Sequence, residues 1–382
     1  MDVREKRPIR ILHVLTAMNR AGAETMLMNL LRMIDRNSVQ FDFAVTAEGR
    51  CDYDEEILSL GGKIIHYPKY TGKNHLAYQK WWNVFFQAHP EYRIVHGHIG
   101  STASIYLKIA KQYGRFTIAH SHSTGGKANI HDWLYKIMSF NTRYIADFFI
   151  GCSAEAIVSR YGKKIAAQTE KCCILKNGID TEQYAFSEEK SRSVRNALGL
   201  GQDALVIGTA GRFSEAKNPF FMVDILAELK TRKPDFRFLW AGTGELKDKA
   251  EAYIASRDLQ ENILLLGVRD DIPALLQALN VFILPSRFEG LPVIGVEAQA
   301  AGVPFLCSDR VSRELNISKC VTFLPITEPR LWADSIMRES IFRRVPNALS
   351  DVVKAGYDVR ETARWLTALY EKKVCEKTGV NS

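Results

Sequence analysis

VFILPSRFEGLPVIGVEAQAAGVPFLCS, residues 281–308, reads as strand, loop, helix and strand in one short stretch. Two β-rich apolar runs flank a turn and a helix of small apolar residues, the pattern of a parallel strand pair with a helical crossover. Pro292 suits the first helical position and Gly302 the helix stop. Glu289 then stands in the strand-to-helix loop, and Glu297 lies five residues past Pro292, about 7–8 Å up the helix. Helical side chains tilt toward the N-terminus, so the Glu297 carboxylate points back toward the same loop. Buried among VIGVEAQAAG, that carboxylate needs a hydrogen-bonding partner, because an isolated one costs several kcal/mol. An internal amide or hydroxyl would serve, and so would the hydroxyl pair of a ligand.

The same alternation runs outward in both directions. Strand candidates in the first half are 9–16, 41–46, 63–67, 93–98, 116–120, 148–152 and 172–176, with helices between them. A polar segment at 177–203, with room for one short helix, interrupts the pattern. It resumes with strands at 205–210, 237–241, 263–266, 281–285 and 303–308, followed by helices to the C-terminus. The expected fold is α/β: two Rossmann-like doubly wound domains facing across a cleft, residues 1–180 and 181–358, with a final helix in 359–382. Ligands of such sheets bind beyond the C-terminal ends of the strands, in the strand-to-helix loops.

Composition narrows the function classes. The apolar content of 46% and charged content of 25% are those of a globular protein, and neither a membrane-length apolar run nor a signal peptide is evident, so a cytoplasmic location is expected. Seven cysteines without a CxxC pair indicate neither a disulfide framework nor a zinc cage. The net charge of +8 is unevenly placed: residues 1–180 hold 24 Lys and Arg against 16 Asp and Glu, and the remainder balances at 27 each. A basic half fits an anionic substrate or an anionic membrane surface, or simply a solvated exterior. Nucleic acid is disfavoured, since long basic runs and aromatic RNA-binding signatures are missing.

The loops carry the chemistry. GRFSEAKNP places Arg212 at a strand end and Lys217 before the helix start Asn218-Pro219, two cations beside free helix amides that suit a diphosphate, although surface cations alone look the same. AGTGE permits close backbone approach at Gly242 and Gly244, while glycine also merely ends strands. Asp271 reads as a helix cap. HGH at 96–98 and HSH at 120–122 put paired histidines at two strand ends; without acidic or cysteine company they indicate cleft-facing or packed imidazoles rather than a metal site. Trp81, Trp82, Phe85 and Phe86, on a helix expected over 75–88, read as core, although Lys69, Lys73 and Lys80 nearby would also suit a membrane surface.

In order and spacing, NRAGAE, AHSHST, KNGID, GRFSEAKNP, AGTGE, LLLGVRDDI and SRFEGLPVIGVEAQAAGVP resemble the retaining glycosyltransferases of the GT-B fold, group 1 or family 4, over nearly the whole chain. EGLPVIGVE matches their E-x7-E motif, shortened from the commoner EGFGLPxxE form with the acid spacing kept. The similarity is greatest to the branch that builds capsular, exopolysaccharide or O-antigen repeats. The resemblance implies a nucleotide diphosphate sugar donor, UDP-linked by expectation, a glycan or lipid-linked acceptor, no metal or other cofactor, and peripheral contact with the inner face of the plasma membrane. It implies that Arg212 and Lys217 hold the diphosphate and that Glu297 accepts from the ribose hydroxyls. Glu289 would contact the sugar hydroxyls, with Gly242, Gly290, Leu291 and Pro292 closing around sugar and phosphates. Val268 and Arg269 would border the base, and Gly22 would let the first domain's backbone approach the phosphate. His120 resembles the active-site histidine, with His122 the competing choice. Acceptor recognition would fall to residues 16–24, 68–75 and 121–130, and the last helix, 360–373, would return to the first domain. The alternatives are another GT-B enzyme, an epimerase or a phosphorylase, or a non-catalytic nucleotide-sugar-binding protein.

Overall fold

The computed structural model describes residues 7–122, 138–339 and 344–378. Two compact units divide the chain: Met1–Gly178 together with Val359–Ser382, and Ile179–Asp358. Unit 1 contains β1 (Ile9–Val14), β2 (Val39–Val45), β3 (Ile64–His66), β4 (Ile94–Gly97), β5 (Phe116–Ser121), β6 (Phe148–Gly151) and β7 (Cys172–Ile174), in sheet order β3-β2-β1-β4-β5-β6-β7. Unit 2 contains β8 (Val206–Ala210), β9 (Arg237–Ala241), β10 (Ile263–Gly267), β11 (Val281–Leu284), β12 (Phe305–Ser308) and β13 (Val321–Leu324), in order β10-β9-β8-β11-β12-β13. Every pairing is parallel. Each sheet is covered on both faces by its own hydrophobic clusters, which is why its strands read as near-continuous apolar runs.

In both sheets the order reverses beside the first strand. In unit 1 the chain builds β1, β2 and β3 to one side and then places β4 on the other side of β1. In unit 2 it builds β8, β9 and β10 and then places β11 on the other side of β8. The diverging loops at such a reversal leave a crevice at the carboxyl ends of the two central strands.

Four details differ from the sequence reading. β13 is an extra strand where only helices were expected; just one of its four residues is buried, so its apolar signal is weak, and pairing with β12 over residues 305–308 and 321–324 creates it. The 177–203 segment holds two helices, Thr181–Tyr184 and Glu188–Ala197, the second capped by the Ser187 hydroxyl accepting from Lys190 N. Pro292 is the N-cap of the helix Val293–Ala300 rather than its first residue. Asp271 makes no side-chain cap; its carboxylate pairs with Arg269 at 2.8 and 2.6 Å.

The last helix, Val359–Thr378, belongs to unit 1. Val359, Ala363, Leu366, Tyr370 and Val374 recur at helical spacing and enter the core that also contains Leu27 and Leu31 of the helix Gly22–Met33, while Trp365 is 42% exposed. The helix His75–Ala88 buries Tyr78, Trp82, Phe85 and Phe86 and leaves Leu76 and Val84 exposed. No helix among the described residues is long and apolar enough to cross a membrane.

Candidate functional site

In unit 2 the loops after β8 and β11 are tied together at the chain reversal. The backbone N–H of Arg287 donates to Ala216 O at 2.8 Å, Asn218 Nδ2 to Pro285 O at 3.2 Å, and Arg287 Nε to Asn218 Oδ1 at 3.1 Å. Asn218 adopts a left-handed conformation, φ +57°, and precedes Pro219, the first residue of the helix Pro219–Lys230; its side chain is spent on the β11 loop instead of a cap. Across this junction Lys217 Nζ forms an ion pair with Glu289, and Ser286 Oγ donates to the same carboxylate oxygen at 2.9 Å. Two residues expected to serve one ligand thus meet each other.

Glycine geometry shapes the neighbouring loop. Gly242 has φ +140°, and a Cβ there would stand 2.0 Å from Gly211 O. Gly244, φ +158°, leaves no more room, since its Cβ would meet Phe213 O at 2.5 Å and Arg212 Cγ at 2.7 Å. The β9 loop therefore lies directly on the β8 loop, an approach only glycine allows. Lys217 runs along the same backbone, its Cε 3.0 Å from where a Gly211 Cβ would be. Arg212 is exposed beside it.

Glu297 lies in the helix Val293–Ala300, half-buried, between the buried residues Val296 and Ala298. Desolvation pushes its carboxyl up to about 7, against a hydrogen bond with Tyr184 that pulls it down. The internal partner left open by the sequence is thus the hydroxyl of Tyr184, from the short helix that begins this unit. The helix has no side-chain cap, so its first amides remain available. Gly290 is exposed with open space around it, Leu291 is half-buried and Pro292 is buried. Val268 is exposed at the end of β10, and the adjacent Arg269 is engaged by Asp271. Ser286, Asn218 and Arg287 were missed as organisers of this site; Ser286 and Arg287 sit in the quoted stretch, but only the folded loops reveal what they touch.

In unit 1, Gly22 opens the helix Gly22–Met33, whose N-cap Ala21 offers no side-chain acceptor to the first amides. At the reversal between β1 and β4 lie five imidazoles. His13 and His96 are cross-strand partners, and His98, His120 and His122 complete the cluster. His13 Nδ1 and His98 Nε2 are 3.0 Å apart, His98 Nδ1 and His122 Nε2 2.7 Å, and His96 Nε2 and His120 Nδ1 3.2 Å. His96 Nδ1 meets the Tyr370 hydroxyl at 2.7 Å. Burial lowers all five from the ordinary histidine value, His13 to about 3 and His122 to about 4, so the rings are neutral at neutral pH.

The triads His13–His96–His98 and His98–His120–His122 bring potential ligand nitrogens within 4.8 Å of one another. Most of those nitrogens bond to each other, however. His13 Nε2 is the one left over in the first triad, and His120 Nε2 and His122 Nδ1 are the two in the second, so neither offers three free nitrogens as it stands. His13 was not singled out from sequence, and Tyr370 only as an apolar position at helical spacing on the last helix, although ILHVL, IVHGH and IAHSH each place a histidine after two apolar strand residues. Elsewhere in unit 1 a cavity of about 540 Å³ opens beyond β2 and β3, with Glu48, His66, Lys69 and Trp81 in its wall. The 121–130 loop lies, beyond residue 122, outside the described residues.

Known proteins match along the same two units. The family description "Glycosyltransferase Family 4" fits residues 20–183 and "Glycosyl transferases group 1" fits residues 190–318. The putative glycosyltransferase EpsF of Bacillus subtilis is 33% identical over 370 residues, covering 94% of this chain and 96% of that protein. The chain belongs to the group 1, family 4 glycosyltransferases. Another relative of this glycosyltransferase, the Escherichia coli UDP-Gal:alpha-D-GlcNAc-diphosphoundecaprenol alpha-1,3-galactosyltransferase, is 28% identical over 57% of this chain and 58% of its own length. HepE of Anabaena, solved in complex with UDP, superposes with a TM-score of 0.76 at 17% identity, covering 95% of this chain and 100% of that one. Sucrose-phosphate synthase from Thermosynechococcus elongatus gives 0.75 at 17% identity, with 96% and 99% covered. At those identities the superpositions establish the GT-B fold of the glycosyltransferase, two Rossmann-like domains.

Proposed function

We propose that this glycosyltransferase moves a sugar, with retention of configuration and without a metal, from a UDP-sugar to a hydroxyl of a glycan or lipid-linked acceptor in cell-surface polysaccharide synthesis. The observation that carries the reading is the meeting of Lys217 and Glu289 at the β8–β11 reversal, beside the uncapped helix that bears Glu297. Breaking a sugar–diphosphate bond builds negative charge on the departing diphosphate and positive charge on the sugar, so fixed cations and helix amides lower the barrier. Arg212 and Lys217 take the diphosphate, Glu297 the ribose hydroxyls and Glu289 the sugar hydroxyls. Gly242 and Gly290 to Pro292 supply close backbone, Val268 and Arg269 border the base, and Gly22 admits the phosphate to the backbone of unit 1. His120 serves the transferring sugar.

On this reading, donor binding releases Lys217 from Glu289: the diphosphate oxygens replace the carboxylate as the partner of Lys217, and the sugar hydroxyls replace the ammonium as the partner of Glu289. The acceptor hydroxyl attacks the anomeric carbon on the face the diphosphate leaves and gives its proton to the departing phosphate oxygen, so the new bond keeps the configuration of the old. The cavity around His66, Lys69 and Trp81 supports acceptor binding by unit 1, since an aromatic face beside charged groups suits a glycan. The lipid acceptors and UDP-linked donor in relatives' names support the substrate classes. The basic N-terminal half supports a peripheral contact with anionic lipid at the cytoplasmic face, for which vesicle binding should weaken as salt rises.

The deciding experiment measures UDP release from a panel of UDP-sugars, with and without lipid-linked acceptors, in the presence of EDTA, and the anomeric configuration of the product. Acceptor-dependent release with the donor configuration kept is expected. Donor binding without turnover across the panel would instead indicate a binding protein, and isomerised or phosphorolysed sugar another GT-B enzyme.

A further inference from the structure

Tyr370 is fully buried on the helix Val359–Thr378, its ring edge against Phe41. Its hydroxyl stands 2.7 Å from His96 Nδ1, and His96 Nε2 stands 3.2 Å from His120 Nδ1. A neutral imidazole has one N–H and one lone pair, so each ring passes a hydrogen bond on in a single direction. Tyr370 has one proton and keeps it, because burial raises its pKa well above the ordinary value. Among the described residues its hydroxyl bonds to His96 alone, so donation to His96 Nδ1 is the arrangement that uses this proton. His96 then carries its proton on Nε2 and donates to His120 Nδ1. His120 is left with its proton on Nε2, a buried nitrogen that has no partner among the described residues. The reverse direction would leave the tyrosine proton unpaired in the core.

The second chain, His13–His98–His122, lacks such an anchor. Among the described residues both ends, His13 Nε2 and His122 Nδ1, are unpartnered, and either direction leaves a bare lone pair at one end and an unpaired N–H at the other. Two neighbouring histidines of the HSH stretch therefore differ: the tautomer of His120 is dictated from outside the cluster, and that of His122 is not.

We propose that Tyr370 and His96 are positioning residues that hold His120 as the Nε2–H tautomer, a fixed donor to a hydroxyl oxygen of the transferring sugar. The tautomer follows from the hydrogen-bond geometry and the proton that Tyr370 keeps; its catalytic use rests on the proposed glycosyl transfer. The test uses the full-length protein labelled with nitrogen-15 histidine, with long-range proton–nitrogen correlation spectra assigned through His120→Gln. In wild type, His120 should show a protonated Nε2 and an unprotonated Nδ1. Tyr370→Phe, which keeps the ring packing, should turn His120 into a tautomer mixture and lower kcat for transfer about tenfold or more, with the donor KM within about twofold. A wild-type His120 protonated on Nδ1 overturns the proposal, and that reading stands even where the variant does not fold. So does a Tyr370→Phe protein with unchanged spectrum, or with a shifted spectrum and unchanged kcat. Absence of transfer by wild type would overturn the glycosyltransferase reading instead, and the spectra would still decide the tautomer.

Discussion

At the reversal of unit 1, between β1 and β4, five imidazoles, three buried and two half-buried, bond to one another without charge, whereas at the reversal of unit 2, between β8 and β11, the loops and the helix after them present a lysine, two carboxylates and arginines. The same topology thus produces two electrostatic environments. Neutral rings within hydrogen-bond distance can pack together because each lends a proton to the next; an ion withdrawn from water needs an opposite charge, and at the unit 2 junction Lys217 and Glu289 supply it to each other. On the proposed reading, unit 1 supplies directional hydrogen bonding and unit 2 meets the charge of a diphosphate.

Removing charge from unit 2 should have the largest effect. Lys217→Ala should lower transfer about 10²- to 10³-fold, the usual scale for one preorganised donor at a developing negative charge, measured as initial UDP release with acceptor present. An unchanged rate would remove Lys217 from the diphosphate and leave its pairing with Glu289 purely structural. Next comes backbone: Gly242→Ala, at φ +140° with Gly211 O in the way, should destabilise unit 2 by about 2 kcal/mol or more, read from chemical denaturation. A neutral substitution would show that the two loops are free to separate.

Glu297→Ala should weaken UDP binding about tenfold by calorimetry while Glu289→Ala chiefly lowers turnover. Equal losses of folding in both variants would assign the two acids to stability alone.

The smallest effects separate the units by pH. Glu297 titrates near 7 in the folded chain, above its ordinary 4.5, so its contribution to stability is full below about 4.5 and is lost as pH rises through about 7. Glu297→Gln should therefore gain in Tm relative to wild type over that window. The histidines have the opposite sign. Their folded values lie below 6.5, so the unfolded chain takes up protons first, and unit 1 should lose stability as pH falls from about 6.5 toward 4 and below. Hydrogen exchange at pH 7 and pH 5 should show unit 1 loosening; equal protection at both values would mean that the rings are not held neutral.

Much of this was readable before folding. The strand–helix alternation is a local property of apolar spacing and loop residues, and twelve of the thirteen strands among the described residues carry that signal. β13 does not, because an edge strand with three half-exposed residues is defined by its neighbour. The acids of EGLPVIGVE were legible through spacing, as was a helix start after Asn218. That Asn218 turns its side chain to Pro285 and Arg287 was not, since those partners are more than sixty residues away. ILHVL was legible as a strand, but the partner of its His13 is His98, which only strand pairing brings near.

By itself the sequence determined the two α/β units, the positions of Arg212, Lys217 and Glu289 between strand and helix and the helical position of Glu297, because periodicity, helix stops and motif spacing act over a few residues. Only the tertiary structure decided that Lys217 closes on Glu289, that Tyr184 reaches Glu297, and that a tyrosine near the C-terminus governs a histidine 250 residues earlier. Those pairings depend on which strand lies beside which and on the direction of each proton, and both are set when the parallel sheets assemble.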